Sequence, residues 1–174
     1  EPTNISIAKI FIDFIHKSDS LIQNIDQLWE LEMSNVNQTE YLNLKSLNFL
    51  FKSVWLQGFI DSIDKQSFIL SDITATIKIT INNSTIFDDK FEFTPQKYVF
   101  VIGDIWKESN GYSVIAQRIG NICRNIFYAE KSWNLEVSEF CYLFNKRLKS
   151  FSNSNLIKFL LHCLMPYNLS IIQF

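Results

Sequence analysis

Two of the four glycines in this chain of 174 residues stand inside long β-prone runs. Gly58 interrupts an apolar stretch from Phe49 to Ile63 that contains Val54-Trp55-Leu56-Gln57-Gly58, and Gly103 interrupts the run from Lys97 to Trp106. Glycine packs nothing and weakens a strand, so inside one it marks a bulge, a sharp bend or the close approach of another backbone. Long strands that bend in the middle are what closure of a small barrel requires. The other two glycines punctuate the same region. Ser109-Asn110-Gly111 reads as a hairpin turn, and Gly120 follows the last β-prone run, Tyr112 to Ile119.

Two shorter strands lie between the long ones. Asp64-Lys65-Gln66 is a turn signal, Phe68-Ile69-Leu70 is a strand closed by Ser71-Asp72, and Ala75 to Ile81 alternates with Ile77, Ile79 and Ile81 on one face. Asn82 to Thr94 reads as a polar loop. The order is a long strand, a hairpin into strands two and three, a long connection, and a second hairpin of strands four and five. This fits the plan of an OB-fold barrel, whose first strand is shared between both halves, with a different small β-barrel or sandwich as the other reading. No strand–helix–strand alternation appears, which argues against a parallel α/β sheet.

The flanks read as helix. Ile7, Ile10, Phe11, Phe14 and Ile15 follow helical spacing and predict a short amphipathic helix that ends at Ser18-Asp19-Ser20. Trp29, Leu31 and Met33 alternate with Glu30 and Glu32, as in a short strand with one wet face, and Ser34 to Thr39 is a polar connection. Beyond the barrel, Trp133, Val137, Phe140, Phe144, Leu148 and Phe151 recur at spacings of three and four, with Ser132 as the expected cap and Glu136 in the first turns. A second short apolar helix is expected after Ser152-Asn153, stopping before Pro166. The expected class is mainly β with flanking helices: residues 1–48 leading in, a five-stranded OB-fold barrel over 49–122, a pairing helix over 123–151, and an apolar tail over 152–174.

Composition narrows the chemistry. Apolar residues make up 47 % of the chain and phenylalanine alone fills 16 positions, enough to bury a core without disulfides. Cys123, Cys141 and Cys163 are odd in number, widely spaced and free of any C-x-x-C pattern, which fits reduced thiols. His16 and His162 lie far apart, and no cluster has metal-ligand spacing, so neither metal nor cofactor is expected. The apolar tail from Leu156 to Phe174 is interrupted by Lys158, His162 and Pro166, too broken for a membrane span of roughly 20 mostly apolar residues.

Candidate functional residues are few. G-x-S-x-G, P-loop, G-x-G-x-x-G and H-E-x-x-H patterns are all missing, and no enzyme is expected. Asp88-Asp89 reads as a solvated carboxylate pair in a loop. A groove for single strands needs exposed aromatics interleaved with bases. Aromatics abound on the strands at Trp55, Phe59, Phe68, Phe100, Trp106 and Tyr112, where a barrel core accounts for most of them. Bases there are thin (Lys65, Lys78, Lys97, Lys107 and Arg118), and the net charge is −2. Weak or no direct nucleic-acid binding follows from that deficit. The aromatic stripe of the last helix is the strongest interaction candidate. Two readings of it stay open: packing back onto its own barrel, and pairing with a partner helix.

Three segments resemble the small OB-fold subunit of the RecQ-mediated genome instability pair. They are Val54-Trp55-Leu56-Gln57-Gly58, matching V-W-x-Q-G; Pro95-Gln96-Lys97-Tyr98-Val99-Phe100-Val101-Ile102-Gly103, matching P-x-K-Y-V-x-V-x-G; and Trp133-Asn134-Leu135-Glu136-Val137, matching W-x-L-E-V. Trp29-Glu30-Leu31 and the helix expected before it also fall in place, and the likeness covers roughly residues 7 to 145. The resemblance implies a nuclear, non-catalytic scaffold. Such a subunit pairs with a larger OB-fold partner and joins a RecQ-type helicase and a type IA topoisomerase in dissolving double Holliday junctions. From the residues themselves, Trp133, Val137, Phe140, Phe144 and Leu148 are expected to form a partner-facing or barrel-docking stripe, and Lys97 and Arg118 are candidates for a polar contact surface. Arg118 stands where the family carries a lysine in the fifth strand, and arginine and lysine are not interchangeable at a shaped site. Ile73-Thr74-Ala75 replaces a turn in which such domains often have glycine, and the chain continues some 30 residues past the family's usual end. Two related families share the barrel and the helix after it: the middle subunit of replication protein A and its telomere-capping relatives, which imply contact with single-stranded DNA.

Overall fold

A computed structural model of the chain describes residues 4–24, 27–34, 46–89, 91–122 and 125–144. Its elements run β1 (Asn4–Lys9), α1 (Ile12–His16), β2 (Ser20–Gln23), β3 (Trp29–Ser34), β4 (Ser46–Ile63), β5 (Ser67–Ser71), β6 (Thr76–Thr80), β7 (Ile86–Phe87), β8 (Tyr98–Glu108), β9 (Gly111–Asn121) and α2 (Ile126–Phe144). The connection after Ser34, the tail beyond residue 144, Leu148, Cys123, Cys163 and His162 lie outside the described residues.

Five strands close the barrel expected from the sequence. β4 pairs antiparallel with β5 and with β8, β5 with β6, and β8 with β9, while β6 meets β9 in parallel and completes the ring. β4 reaches both halves because it is 18 residues long. Gly58 sits where β4 crosses from β8 to β5, and a Cβ there would collide with the backbone carbonyl of Ser71. Gly103 plays the same part on β8 against the carbonyl of Ile115, beside a register shift between β8 and β9. The glycines are therefore packing requirements of closure.

Alternation along the strands fills the barrel. Val54, Leu56 and Ile60 of β4, Ile77 and Ile79 of β6, Val99 and Val101 of β8, and Val114, Ala116 and Ile119 of β9 are all buried. The strand expected at Trp29–Met33 is β3, with Trp29, Leu31 and Met33 inside.

The N-terminal segment corrects the sequence reading. Residues 4–9 form a strand parallel to β4, and only Ile12–His16 is helical. The open side of β4 supplies backbone partners for a β-branched segment, and that pairing outweighs the helical spacing. Ala8 and Ile10 point in and Ile7 is exposed, which is strand alternation. Helix α1 packs Ile12, Phe14 and Ile15 into the core. Its first amides are satisfied from the β5–β6 turn: Ile12 N–H donates to Asp72 Oδ2 (2.8 Å) and Asp13 N–H to Thr74 Oγ1 (3.1 Å). Asp72 Oδ1 in turn accepts from the Thr74 and Ala75 amides. The glycine-free turn is thus a capping device for α1.

Two further strands lie outside those expected from the sequence. β2 forms a hairpin with β3, and Ile86–Phe87, inside the expected polar loop, adds to β9 in parallel as β7. Both are short and reach their conformation through their neighbours, a signal that periodicity does not carry.

Candidate partner interface

Helix α2 begins six residues before the cap expected at Ser132. Asn125 caps it: its Oδ1 accepts from the Phe127 amide at 3.1 Å and its carbonyl from Tyr128 and Ala129. Ser132 is already inside the helix. The apolar run Ile126-Phe127-Tyr128 hides the start, because it breaks the apolar period that begins at Trp133.

One face of α2 is spent on the chain's own barrel. Ala129, Trp133, Val137, Phe140 and Cys141 are buried and pack toward β1 and β4. Lys9 Nζ of β1 pairs with Glu136 Oε2 at 2.6 Å and lies 4.9 Å over the Trp55 ring, which ties helix to strand. Burial pushes the Cys141 thiol well above its ordinary range, so it is a packing group and not a nucleophile. Of the expected stripe, Trp133, Val137 and Phe140 therefore face inward. Phe144 ends the helix, and Leu148 is outside the described residues.

The outward side of α2 carries its own apolar groups. Ile126, Phe127, Tyr128 and Leu143 are 47 %, 58 %, 62 % and 48 % exposed. Phe127 and Tyr128 meet edge to face at 5.9 Å, and Lys131 Nζ lies 4.0 Å over the Phe127 ring. Sequence reasoning did not single these residues out, although three consecutive apolar residues after an Asn are a visible signal.

Lys97 belongs to this end of the molecule. A cleft of about 480 Å³, lined by Pro95, Gln96, Lys97, Tyr98, Ile122 and Ile126, separates the entry to β8 from the start of α2. Two backbone bonds hold its wall: Gln96 N–H to Ile60 O (2.6 Å) and Ile60 N–H to Lys97 O (3.0 Å). Gln96 takes a left-handed φ of 63°. Burial, with Glu130 next in weight, keeps the Tyr98 hydroxyl protonated far above the usual tyrosine range. Lys97 Nζ is 3.6 Å from Glu92 Oε2.

Arg118 is elsewhere. It faces Ile102 in the β8–β9 ladder, five residues and about 16 Å of strand from Lys97. Its Nε and Nη2 both donate to Asp88 Oδ1, at 2.8 and 2.6 Å, and its guanidinium lies 6.0 Å from the Phe100 ring. Asp88 is thus an arginine partner rather than a solvated carboxylate, and the structure does not bring Lys97 and Arg118 into one cluster. Among the described residues no three His, Cys, Asp or Glu side chains are grouped as metal ligands, and no helix is long and apolar enough to cross a membrane.

The family model of RecQ-mediated genome instability protein 2 matches residues 9–141, from the last residue of β1 to Cys141 in α2. The chain belongs to that family. The match takes in the whole barrel and the inward-facing stripe of α2. No curated protein matches the sequence. Among solved structures, the fold resembles the Stn1–Ten1 complex of S. pombe, at 16 % identity and a TM-score of 0.53 over 89 % of this chain and 97 % of that one. A replication protein A heterotrimer bound to single-stranded DNA aligns at 14 % identity and a TM-score of 0.49, over 75 % of this chain and 91 % of that one. At 16 % identity the likeness to the Stn1–Ten1 complex speaks for the OB fold alone. With family and fold together, this is an OB-fold genome-maintenance subunit.

Proposed function

We propose that this chain is a non-catalytic, nuclear scaffold that pairs through α2 with a larger OB-fold subunit and supports a RecQ-type helicase and a type IA topoisomerase in double Holliday junction dissolution. Membership of the RecQ-mediated genome instability protein 2 family supports the assignment. The observation that carries the pairing surface is the exposed Ile126-Phe127-Tyr128 turn with Leu143 beyond it on the same helix. Aromatic side chains that leave water at an interface concentrate binding energy there. Lys97, at the adjoining cleft, supplies a polar rim, and Arg118 with Asp88 offers a separate polar contact on β9.

Recovery of the chain from native nuclear extract, with mass spectrometry of what accompanies it, tests the reading. A RecQ-type helicase, a type IA topoisomerase and a larger OB-fold subunit are the expected companions. Recovery instead of a large subunit with several OB folds, together with tight and steeply salt-dependent binding of single-stranded DNA, would move the chain to the replication protein A or telomere-capping class.

A further inference from the structure

We propose that the chain's own apolar segment 156–165 folds back as a helix onto the flank of α2 that carries Asn134, Ser138 and Tyr142. The chain thereby supplies a second layer for the later part of α2 and leaves the Phe127-Tyr128 end of the helix to another molecule.

Burial around α2 exceeds what the barrel can supply. Trp133 and Tyr142 are nine positions apart, which at about 3.6 residues per turn sets them on opposite sides of the helix. Yet Trp133 is 1 % exposed and Tyr142 6 %. The buried residues run from Ala129 round to Tyr142, an arc of about 220°. One supporting layer accounts for a stripe of roughly 100° or somewhat more. That layer is β1 with β4, and the ion pair of Lys9 with Glu136 fixes the side of the helix that meets it. Trp133 lies toward that side and Tyr142 away from it. The second flank is therefore closed to water by something other than the barrel.

This flank suits an apolar neighbour. Ser138 is fully buried, and its hydroxyl donates to Asn134 O at 2.7 Å, so it asks for no partner outside the helix. Its small side chain lets another helix approach closely between Asn134 and Tyr142.

The occupant follows from the rest of the chain. Residues 145–174 continue from the end of α2, beside Tyr142. Eight of the ten residues from 156 to 165 are apolar. The other two, Lys158 and His162, are four positions apart and share one helical face. Leu156, Leu160 and Leu164, also at spacings of four, take the opposite face. Ser154 and Asn155 are capping residues just before this pattern, and Pro166 stops it. Ten helical residues are about 15 Å long, and the flank from 134 to 142 is about 12 Å long. Residues 145–155 are long enough to reverse direction between antiparallel helices. A helix this short needs tertiary packing to form, and the α2 flank is the nearest dry surface along the chain.

The docking does not depend on pairing with a larger subunit, so the isolated full chain tests it. Hydrogen–deuterium exchange is read peptide by peptide by mass spectrometry. In Leu160→Asp, the amides of residues 134–144 are expected to exchange at least about tenfold faster than in the parent, with those of β8 and β9 unchanged. Lys158→Asp, on the wet face, should leave α2 as it is in the parent. Cys163, next to the dry face, should be alkylated slowly in the parent and quickly in Leu160→Asp. Exchange in α2 that Leu160→Asp leaves unchanged would give the flank to another occupant, such as the 35–45 connection, and overturn the proposal. Equal effects of Leu160→Asp and Lys158→Asp, or loosening of β8 and β9 to the same extent as α2, would overturn it as well.

Discussion

The two faces of α2 are made of similar residues and do different work. Trp133, Val137 and Phe140 are buried against β1 and β4, whereas Phe127, Tyr128 and Leu143 are about half exposed or more. Hydrophobicity alone does not separate the two groups. Position does: the inner set repeats every three to four residues over the face that meets the barrel, and the outer set is clustered at the helix start and returns only near its end. A stripe continuous along a helix is most simply met by the chain's own core. A compact exposed cluster that meets no such partner among the described residues is the better place to look for another molecule.

That contrast breaks most directly at Trp133. Trp133→Ala should cost about 3–5 kcal/mol, as large-to-small changes at buried aromatics do. For a chain of this size each kcal/mol lowers the melting temperature by about 2–4 °C, so thermal unfolding by circular dichroism resolves it easily. A variant that melts like the parent would mean that the inner face does not hold the helix.

The opposite signature is expected outside. Phe127→Ala with Tyr128→Ala should leave stability within about 0.5 kcal/mol, since both residues are exposed. Affinity for the larger OB-fold subunit, read by calorimetry, should fall by about 2 kcal/mol, or roughly thirtyfold. Loss of stability without loss of pairing would exchange the roles of the two faces.

Alkaline pH sharpens the same contrast. The Cys141 thiol is raised by burial, so the fold keeps its proton after an unfolded chain has lost it. Its stabilising share is complete below the unfolded thiol value of about 8.5. Above that value the share declines by up to about 1.4 kcal/mol per pH unit until the folded group itself titrates. Urea unfolding between neutral pH and about pH 10 should show the decline, and Cys141→Ala should flatten it. A slope equal in parent and variant would place the thiol in contact with water.

Much of the fold was legible, and the exceptions have causes. The barrel could be read because closure demands glycine at two crossings, and Gly58 and Gly103 stand at both. Residues 4–9 could not, because their strand exists through β4 rather than through their own pattern. The start of α2 was missed for a related reason: Asn125 is an ordinary cap, but the aromatics after it face outward and break the period. At the candidate site, Trp133, Val137 and Phe140 were identified as one stripe, whereas burial alone says which way the stripe points. Lys97 and Arg118 are expected on one polar surface, Arg118 through the resemblance and Lys97 only as a base near the fourth strand, and the β8–β9 register separates them. The Asp88 partner of Arg118 was hidden because the two are 30 positions apart in sequence.

The smallest effect belongs to that last pair. Arg118 and Asp88 side chains are 54 % and 27 % exposed, and an ion pair so open to water contributes only about 0.2–1 kcal/mol. A double-mutant cycle of Arg118→Ala and Asp88→Ala should return a coupling energy in that range, smaller still at high salt. The stability reading then separates from the functional one. If β9 bears a polar contact for a partner, Arg118→Ala should reduce partner binding by more than the coupling energy, and Asp88→Ala should not mimic it, because the guanidinium would remain. If both variants weaken binding equally, the pair acts as a unit that shapes the 82–97 segment, and the contact surface lies with that segment rather than with Arg118 itself.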